Sequence, residues 1–391
     1  MNSFSFWNPT KVIFGEGTVV QVGSEVKAFG GKKVLVLYGG GSVVKSGLLD
    51  KVTQSLKDEG LEYFCVGGIQ PNPLLGFALK VIEDYKDKGI DFILAVGGGS
   101  TIDTAKAVAT GFLSENIPLW DYFLRKETSK KAVPVGVVLT IAAAGSETSD
   151  SCVITNSELG SKRGFNSQNN RPQFAIMDPV LTYSLPLYQI ACGVVDMLMH
   201  ALDRYFAPDT DNAITDEISE GLMRVVLKYG RIAMESPTDY KARSEIMWAG
   251  ALTHNGIAGL GQTLDFAVHQ LGHPLSAKYD IAHGVSLAVT WASWARYVYR
   301  DDVARFAKFA RQVVGIKEAD DEIAAVMGID ATEEFFRSIG IPVTLTEAIG
   351  EKVRDDIDEL AELCSFGRTR TIGAFRALDH DDIRAIYQAA L

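Results

Sequence analysis

Asp196 and His200 stand four residues apart in GVVDMLMHAL, His269 and His273 stand four apart in HQLGHPLSAKYDIAHG, and His283 follows on a Gly-flanked segment. Residues at that spacing share one face of a helix. A carboxylate with three imidazoles can bind one divalent metal and keep a position open for substrate, and the N/O ligand set suits iron(II) or zinc. Five of the six histidines, His200, His254, His269, His273 and His283, lie in this one stretch of chain. A lone helical histidine more often fills a core or surface position, and two such pairs plus a third site weigh against that reading. Spacing alone does not choose which three of the five would join Asp196.

A second chemistry is suggested by glycine. Gly97-Gly98-Gly99-Ser100 ends the apolar run FILAV and opens TIDTAKAVATGF, which reads as a helix. Glycines there let a phosphate approach the backbone, and the helix N-terminus offers it N–H groups and positive potential. The bland alternative is a tight strand-to-helix turn, with Lys106 a solvated charge two turns further on. Gly39-Gly40-Gly41-Ser42 ends the earlier run KVLVLY. It carries no Asp or Glu to accept from a ribose 2′-hydroxyl, whereas Gly40, Ser42 and Lys45 offer donors suited to a 2′-phosphate. That composition favours NADP(H) over NAD(H).

These side chains need scaffolds. In the first half, strands at 33–38, 62–66, 92–96 and 133–140 alternate with helical segments running to Lys57, over 73–88 and from 101. Such alternation predicts a doubly wound, Rossmann-like parallel sheet, with ligands at the carboxyl ends of its strands. Beyond Pro186 long amphipathic stretches at 188–206, 211–230 and 240–259 take over, predicting an all-helical second domain. The expected division is 1–186 for the α/β domain and 187–391 for the helical, histidine-bearing one, with 178–186 as the linker.

With 391 residues and 47% hydrophobic side chains, the chain can bury enough apolar surface to offset its ordering entropy. Its 38 basic against 49 acidic residues give a net charge of -11, which argues against nucleic acid as a partner. The amino terminus lacks the basic and apolar regions of a secretory signal, and no apolar run reaches the length of a membrane span. Cys65, Cys152, Cys192 and Cys364 form no CxxC pair and read as reduced thiols. A cytoplasmic protein, away from membranes, is expected.

In order along the chain, FWNPTKVIFGEG (6–17), the PNP of 71–73, GGGSTIDTAK (97–106), MDPVLTYSLP (177–186), GVVDMLMHAL (193–202) and HQLGHPLSAKYDIAHG (269–284) resemble the iron-containing, group III alcohol dehydrogenases. The resemblance spans nearly the whole chain, and the glycine turn after the first strand is similar to that of the NADPH-dependent butanol dehydrogenase and aldehyde reductase branch. It implies the dehydroquinate synthase-like fold of that family, with Asp196, His200, His269 and His283 as metal ligands. His273 is then left near substrate and nicotinamide as the catalytic proton relay, and His254 has a structural or pocket-lining place. It further implies a cofactor site of Gly40, Gly41, Ser42, Lys45, Asn72, Gly97, Gly98, Gly99, Ser100, Asp103, Thr140, Ser146 and Lys162, and a homodimer joined near the N-terminal strand. Alanines stand at 142–144 where relatives often place a threonine.

The expected activity is metal-dependent hydride transfer between NADP(H) and a small to medium-chain primary alcohol or aldehyde, such as butanol and butanal, in a cleft between the domains. An NAD-dependent polyol dehydrogenase, a dehydroquinate synthase-like lyase, a metallohydrolase and a noncatalytic metal-binding protein are the competing readings. The lyase calls for several basic residues around a phosphorylated substrate, which the histidine-rich segments lack. The hydrolase leaves the dinucleotide site without a purpose.

Overall fold

Apolar runs closed by glycine become the strands of a parallel sheet. The computed structural model describes residues 1–114, 116–208 and 211–391. Its strands are β1 (Lys11–Phe14), β2 (Lys33–Tyr38), β3 (Glu62–Val66), β4 (Phe92–Gly97), β5 (Val135–Leu139), β6 (Ser151–Asn156), β7 (Ser161–Asn166) and β8 (Phe174–Met177). Six of them form one sheet in the order β1-β8-β5-β4-β2-β3, with every pairing parallel. β4 and β5 are buried at every position, as expected for strands covered on both faces.

Strand order reverses between β2 and β4. From β2 the chain steps outward to β3, then returns across β2 to β4 and continues to β5 on the other side. Ligands of open α/β sheets bind in the crevice at such a switch point, beyond the carboxyl ends of the strands. Tyr38 pairs with Val96 there, so both glycine turns leave the sheet side by side.

The expected strands at 33–38 and 62–66 coincide with β2 and β3, and those at 92–96 and 133–140 with β4 and β5, within one or two residues at their ends. The helix expected to run through Lys57 is interrupted instead: Ser42–Lys45 and Leu48–Asp58 are separate, with Gly47 at φ 72° between them. An antiparallel hairpin of β6 and β7 was not anticipated.

Two compact units divide the chain, Trp7–Leu185 on one side and Pro186–Leu391 with Met1–Phe6 on the other. The first six residues thus group with the helices rather than with the sheet. Asn2 N donates to Gly261 O at 3.0 Å and the terminal ammonium to Asp211 O at 3.2 Å. The segment expected as a linker includes a 3-10 turn, Pro179–Thr182, started by Asp178, whose carboxylate accepts from Val180 N.

At the start of the helical unit is Leu187–Tyr205, buried continuously from Gly193 to Tyr205. A helix buried on all sides is normally apolar on all sides. Asp196, His200 and Asp203 interrupt that rule, and a buried polar group needs a partner or a ligand. Beyond this helix, Phe206 packs among Trp291, Phe306 and Phe309 at ring-centroid distances of 5.6, 4.2 and 5.5 Å.

Two glycines bring the histidine-bearing helices close. A Cβ on Gly272, in the helix Ala267–Tyr279, would stand 2.8 Å from Ser286 Oγ in the helix His283–Val298. A Cβ on Gly284 would stand 2.3 Å from the carbonyl oxygen of Cys192. Only glycine permits that approach of His283–Val298 to Leu187–Tyr205.

Candidate metal and dinucleotide sites

In the helical unit, Asp196, His200 and His269 present ligand atoms that all lie within 4.8 Å of one another. Asp196 Oδ1 is 3.3 Å from His200 Nδ1 and 3.7 Å from His269 Nε2. Each of these three atoms is buried and makes no hydrogen bond. Leaving three polar atoms so costs several kcal/mol by the usual penalty of about 1–3 kcal/mol each. A divalent cation among them removes that cost, and a carboxylate with neutral imidazoles is the donor set such an ion takes. The residues present therefore fit a metal.

His283 Nε2 lies 3.9 Å from Asp196 Oδ1, at the edge of the trio. His273, half-buried, has its ring centroid 6.2 Å from that of His283. His254, at the end of the helix Tyr240–His254, sets its ring edge-on against His200 at 4.0 Å. Five histidines scattered over 84 positions of sequence are thereby gathered in one place.

Electrostatics act in opposite directions on the two buried imidazoles. Burial, aided by the neighbouring imidazoles of His254 and His269, pushes His200 well below its ordinary value, so its ring is neutral. Burial also opposes a charge on His269, but the carboxylates of Asp196 and Asp203 outweigh it and hold that ring above the ordinary value. Asp203 is fully buried and its Oδ2 lies 2.5 Å from His269 Nδ1. The sequence reading did not single it out. Its signal was available: Asp196, His200 and Asp203 follow one another at i, i+4 and i+7 along one helical stripe.

In the sheet unit, the helix Gly99–Phe112 starts directly after β4, with Gly98 as an N-cap that offers no side chain. Space around the glycines is uneven. A Cβ on Gly98 would come within 3.0 Å of Ile141, one on Gly97 within 2.4 Å of Thr101 Oγ1, and one on Gly99 within 3.4 Å of Ala144. The backbone here is thus closely walled by the protein's own side chains, and Gly97 and Gly98 leave no room for a Cβ. Gly40, Gly41, Ser42 and Lys45 are all exposed, and a Cβ on Gly40 would meet nothing within 4 Å. A Cβ on Gly39 would be 3.6 Å from Thr101 Oγ1, so the two turns nearly touch.

Lys162 Nζ donates to Asn72 Oδ1 at 3.0 Å. The hairpin makes this contact possible: Thr155 pairs with Lys162 across β6 and β7, and Thr155 N donates to Pro73 O at 2.8 Å. Thr140 N donates to Gly97 O at 3.1 Å, tying the end of β5 to the first glycine of the turn.

Lys106 departs from the solvated charge weighed above. It is fully buried, and its ammonium lies within 3.0 Å of Ser146 O, Ser146 Oγ, Ser149 O and Ser151 O. Asp103 supplies the balancing charge, accepting from Ser146 Oγ at 2.6 Å and Val153 N at 3.1 Å. Both Asp103 oxygens and the Ser146 hydroxyl are engaged in holding the 146–153 loop against the helix.

Comparison with known proteins follows the same two parts. A family model described as iron-containing alcohol dehydrogenase matches residues 9–179, and one described as the C-terminal part of the Fe-containing alcohol dehydrogenase family matches 190–391. NADH-dependent butanol dehydrogenase A of Clostridium acetobutylicum is 36% identical over 99% of both chains. NADPH-dependent aldehyde reductase YqhD of Escherichia coli is 34% identical over the full length of both. The crystal structure of NADH-dependent butanol dehydrogenase A from Thermotoga maritima superposes with a TM-score of 0.96 at 38% identity, covering 100% of this chain and 99% of that one.

Proposed function

This chain belongs to the iron-containing alcohol dehydrogenase family, and from that premise we propose that it transfers a hydride between NADP(H) and a small to medium-chain primary alcohol or aldehyde such as butanol or butanal. The observation that carries the reading is the convergence of Asp196 Oδ1, His200 Nδ1 and His269 Nε2, buried and without hydrogen bonds.

Asp196, His200 and His269, with His283 completing the set, would hold one iron(II) or zinc ion. Bound there, the ion supplies a Lewis acid that stabilises negative charge on the substrate oxygen in either direction of the reaction. His273 passes the proton between that oxygen and solvent, a task for an imidazole that is not itself a ligand. Burial of the trio excludes water, which strengthens each electrostatic interaction there.

Gly97, Gly98, Gly99 and Ser100 hold the pyrophosphate at the start of the helix Gly99–Phe112. Lys162, oriented by Asn72, reaches the ribose of the nicotinamide half, and Thr140 and Ser146 flank the cofactor, with Asp103 fixing Ser146. Gly40, Gly41, Ser42 and Lys45 receive the 2′-phosphate. Of the three relatives named above, two are described as NADH-dependent and one as NADPH-dependent. The coenzyme choice therefore rests on this chain's own turn, where donors stand and no carboxylate does.

Among the described residues, no helix is long and apolar enough to cross a membrane. Four free cysteines fit a reducing cytoplasm, where we place the protein as a homodimer.

Nicotinamide oxidation with straight-chain aldehydes of increasing length tests the reading. Activity is expected with NADPH in iron- or zinc-loaded protein and is expected to vanish after chelation. Full turnover in metal-free protein would overturn it.

A further inference from the structure

The helix Ala267–Tyr279 begins without a cap of its own. Its N-cap residue, Phe266, has a left-handed backbone at φ 55° and no accepting side chain. Free N–H groups of the first turn must then find acceptors elsewhere. Asp265 Oδ2 takes Ala267 N at 3.0 Å, and Asp203 Oδ2, from the helix Leu187–Tyr205, lies 3.3 Å from His269 N.

The same Asp203 oxygen lies 2.5 Å from His269 Nδ1. A carboxylate can only accept, so the proton of the His269 ring must sit on Nδ1. In the neutral ring that leaves the Nε2 lone pair bare, and Nε2 is the buried atom without a hydrogen bond, 3.7 Å from Asp196 Oδ1. Two bonds from one oxygen, one to the backbone and one to the ring of the same residue, fix both where His269 stands and which nitrogen it turns to the trio.

The geometry points to Asp203 as a positioning residue that locks His269 in the tautomer whose Nε2 serves as a metal ligand. This rests on the metal reading above and adds a residue to it. Asp203 is not among the three residues whose ligand atoms lie within 4.8 Å of one another, and its Oδ2 is directed at Nδ1 rather than Nε2. Partners of this kind orient a ligating imidazole and raise its basicity, and losing one typically weakens metal binding by about 10–100-fold.

Asp203→Asn tests the assignment, since an amide oxygen can still accept from His269 N while the charge is lost. Zinc affinity of the full-length protein would be measured by competition with a chromophoric chelator, beside the melting temperature of the metal-free form. The expected result is an affinity about 10–100-fold weaker with metal-free melting unchanged. Wild-type zinc affinity in the variant overturns the assignment, including where melting falls, because Asp203 would then be only a cap. Should the variant not fold, nitrogen-15 histidine NMR of zinc-loaded wild type decides: a proton on His269 Nδ1 supports the assignment, and a proton on Nε2 overturns it. A wild-type protein that takes up no zinc or iron at all would instead sink the metal reading itself, and this inference with it.

Discussion

The Lys106 ammonium lies 2.7 Å from the carbonyl oxygen of Ser146, forty residues away in sequence, and both are buried. Burial pulls the lysine below its ordinary value, and the charge of Asp103 works in the opposite direction. The pair thus fastens the loop after β5 to the helix that follows the second glycine turn.

Lys106→Met keeps the length of the stem and removes the charge. It leaves the Asp103 carboxylate without its balancing charge and three loop carbonyls without their donor, and removing one of two buried balancing charges costs about 3–5 kcal/mol. Urea unfolding should show that loss, and fluorescence titration should show weaker NADPH binding as the loop detaches. A variant as stable as the wild type would refute the account.

Metal removal has a readout independent of turnover. Free zinc at 100 times its dissociation constant stabilises the folded state by about 2.7 kcal/mol. In a unit of roughly 200 residues that corresponds to about 5–10 °C in melting temperature. Calorimetry should show the shift on loading metal-free protein and its loss in His200→Ala, whose ring supplies one of the three unbonded atoms. Equal shifts in both proteins would place the metal elsewhere.

Much of this arrangement is legible from local signals. β2 and β4 read directly, because KVLVLY and FILAV are continuous apolar runs closed by glycine. Asp196 and His200 read as a pair, because their spacing alone puts them on one helix face. What does not read is set by distant chain. The burial of Lys106 depends on a loop 40 to 45 residues downstream. Asp203 gains its purpose from His269, 66 residues away. SCVITN and SKRGFN pair as a hairpin, but the second is too polar to announce a strand. His269 and His273 have the same spacing as Asp196 and His200, yet only His269 joins the trio within 4.8 Å, a distinction made by how the helices pack.

Glu147 provides a pH signature in the sheet unit. Burial pushes its carboxyl from an ordinary 4.5 up to about 7. The folded state holds that proton more tightly than the unfolded chain does. Its contribution to stability is therefore complete below pH 4.5 and lost as pH rises through about 7. Glu147→Gln cannot ionise, so wild type should lose up to about 3 kcal/mol relative to the variant between about pH 5 and pH 8. Urea unfolding of both proteins across that range measures the difference, and parallel curves would show that Glu147 does not titrate there.

Coenzyme choice is open to a single substitution. A Cβ on Gly40 meets nothing within 4 Å, so Gly40→Asp can be accommodated without disturbing the end of β2. Its carboxylate would accept from a ribose 2′-hydroxyl and repel a 2′-phosphate. A hydrogen bond to a charged group contributes about 1.5–3 kcal/mol, and 1.4 kcal/mol is tenfold, so the ratio of kcat/KM for NADPH over NADH should fall by about 10–100-fold. Lys45 stands in the same turn: on the proposed reading, in which its ammonium meets only the 2′-phosphate, Lys45→Ala should lower kcat/KM with NADPH and leave NADH nearly unaffected. Melting temperatures should stay within a degree or so of wild type, because both positions are exposed. A wild-type enzyme that already prefers NADH would show that the donors of this turn do not select the coenzyme.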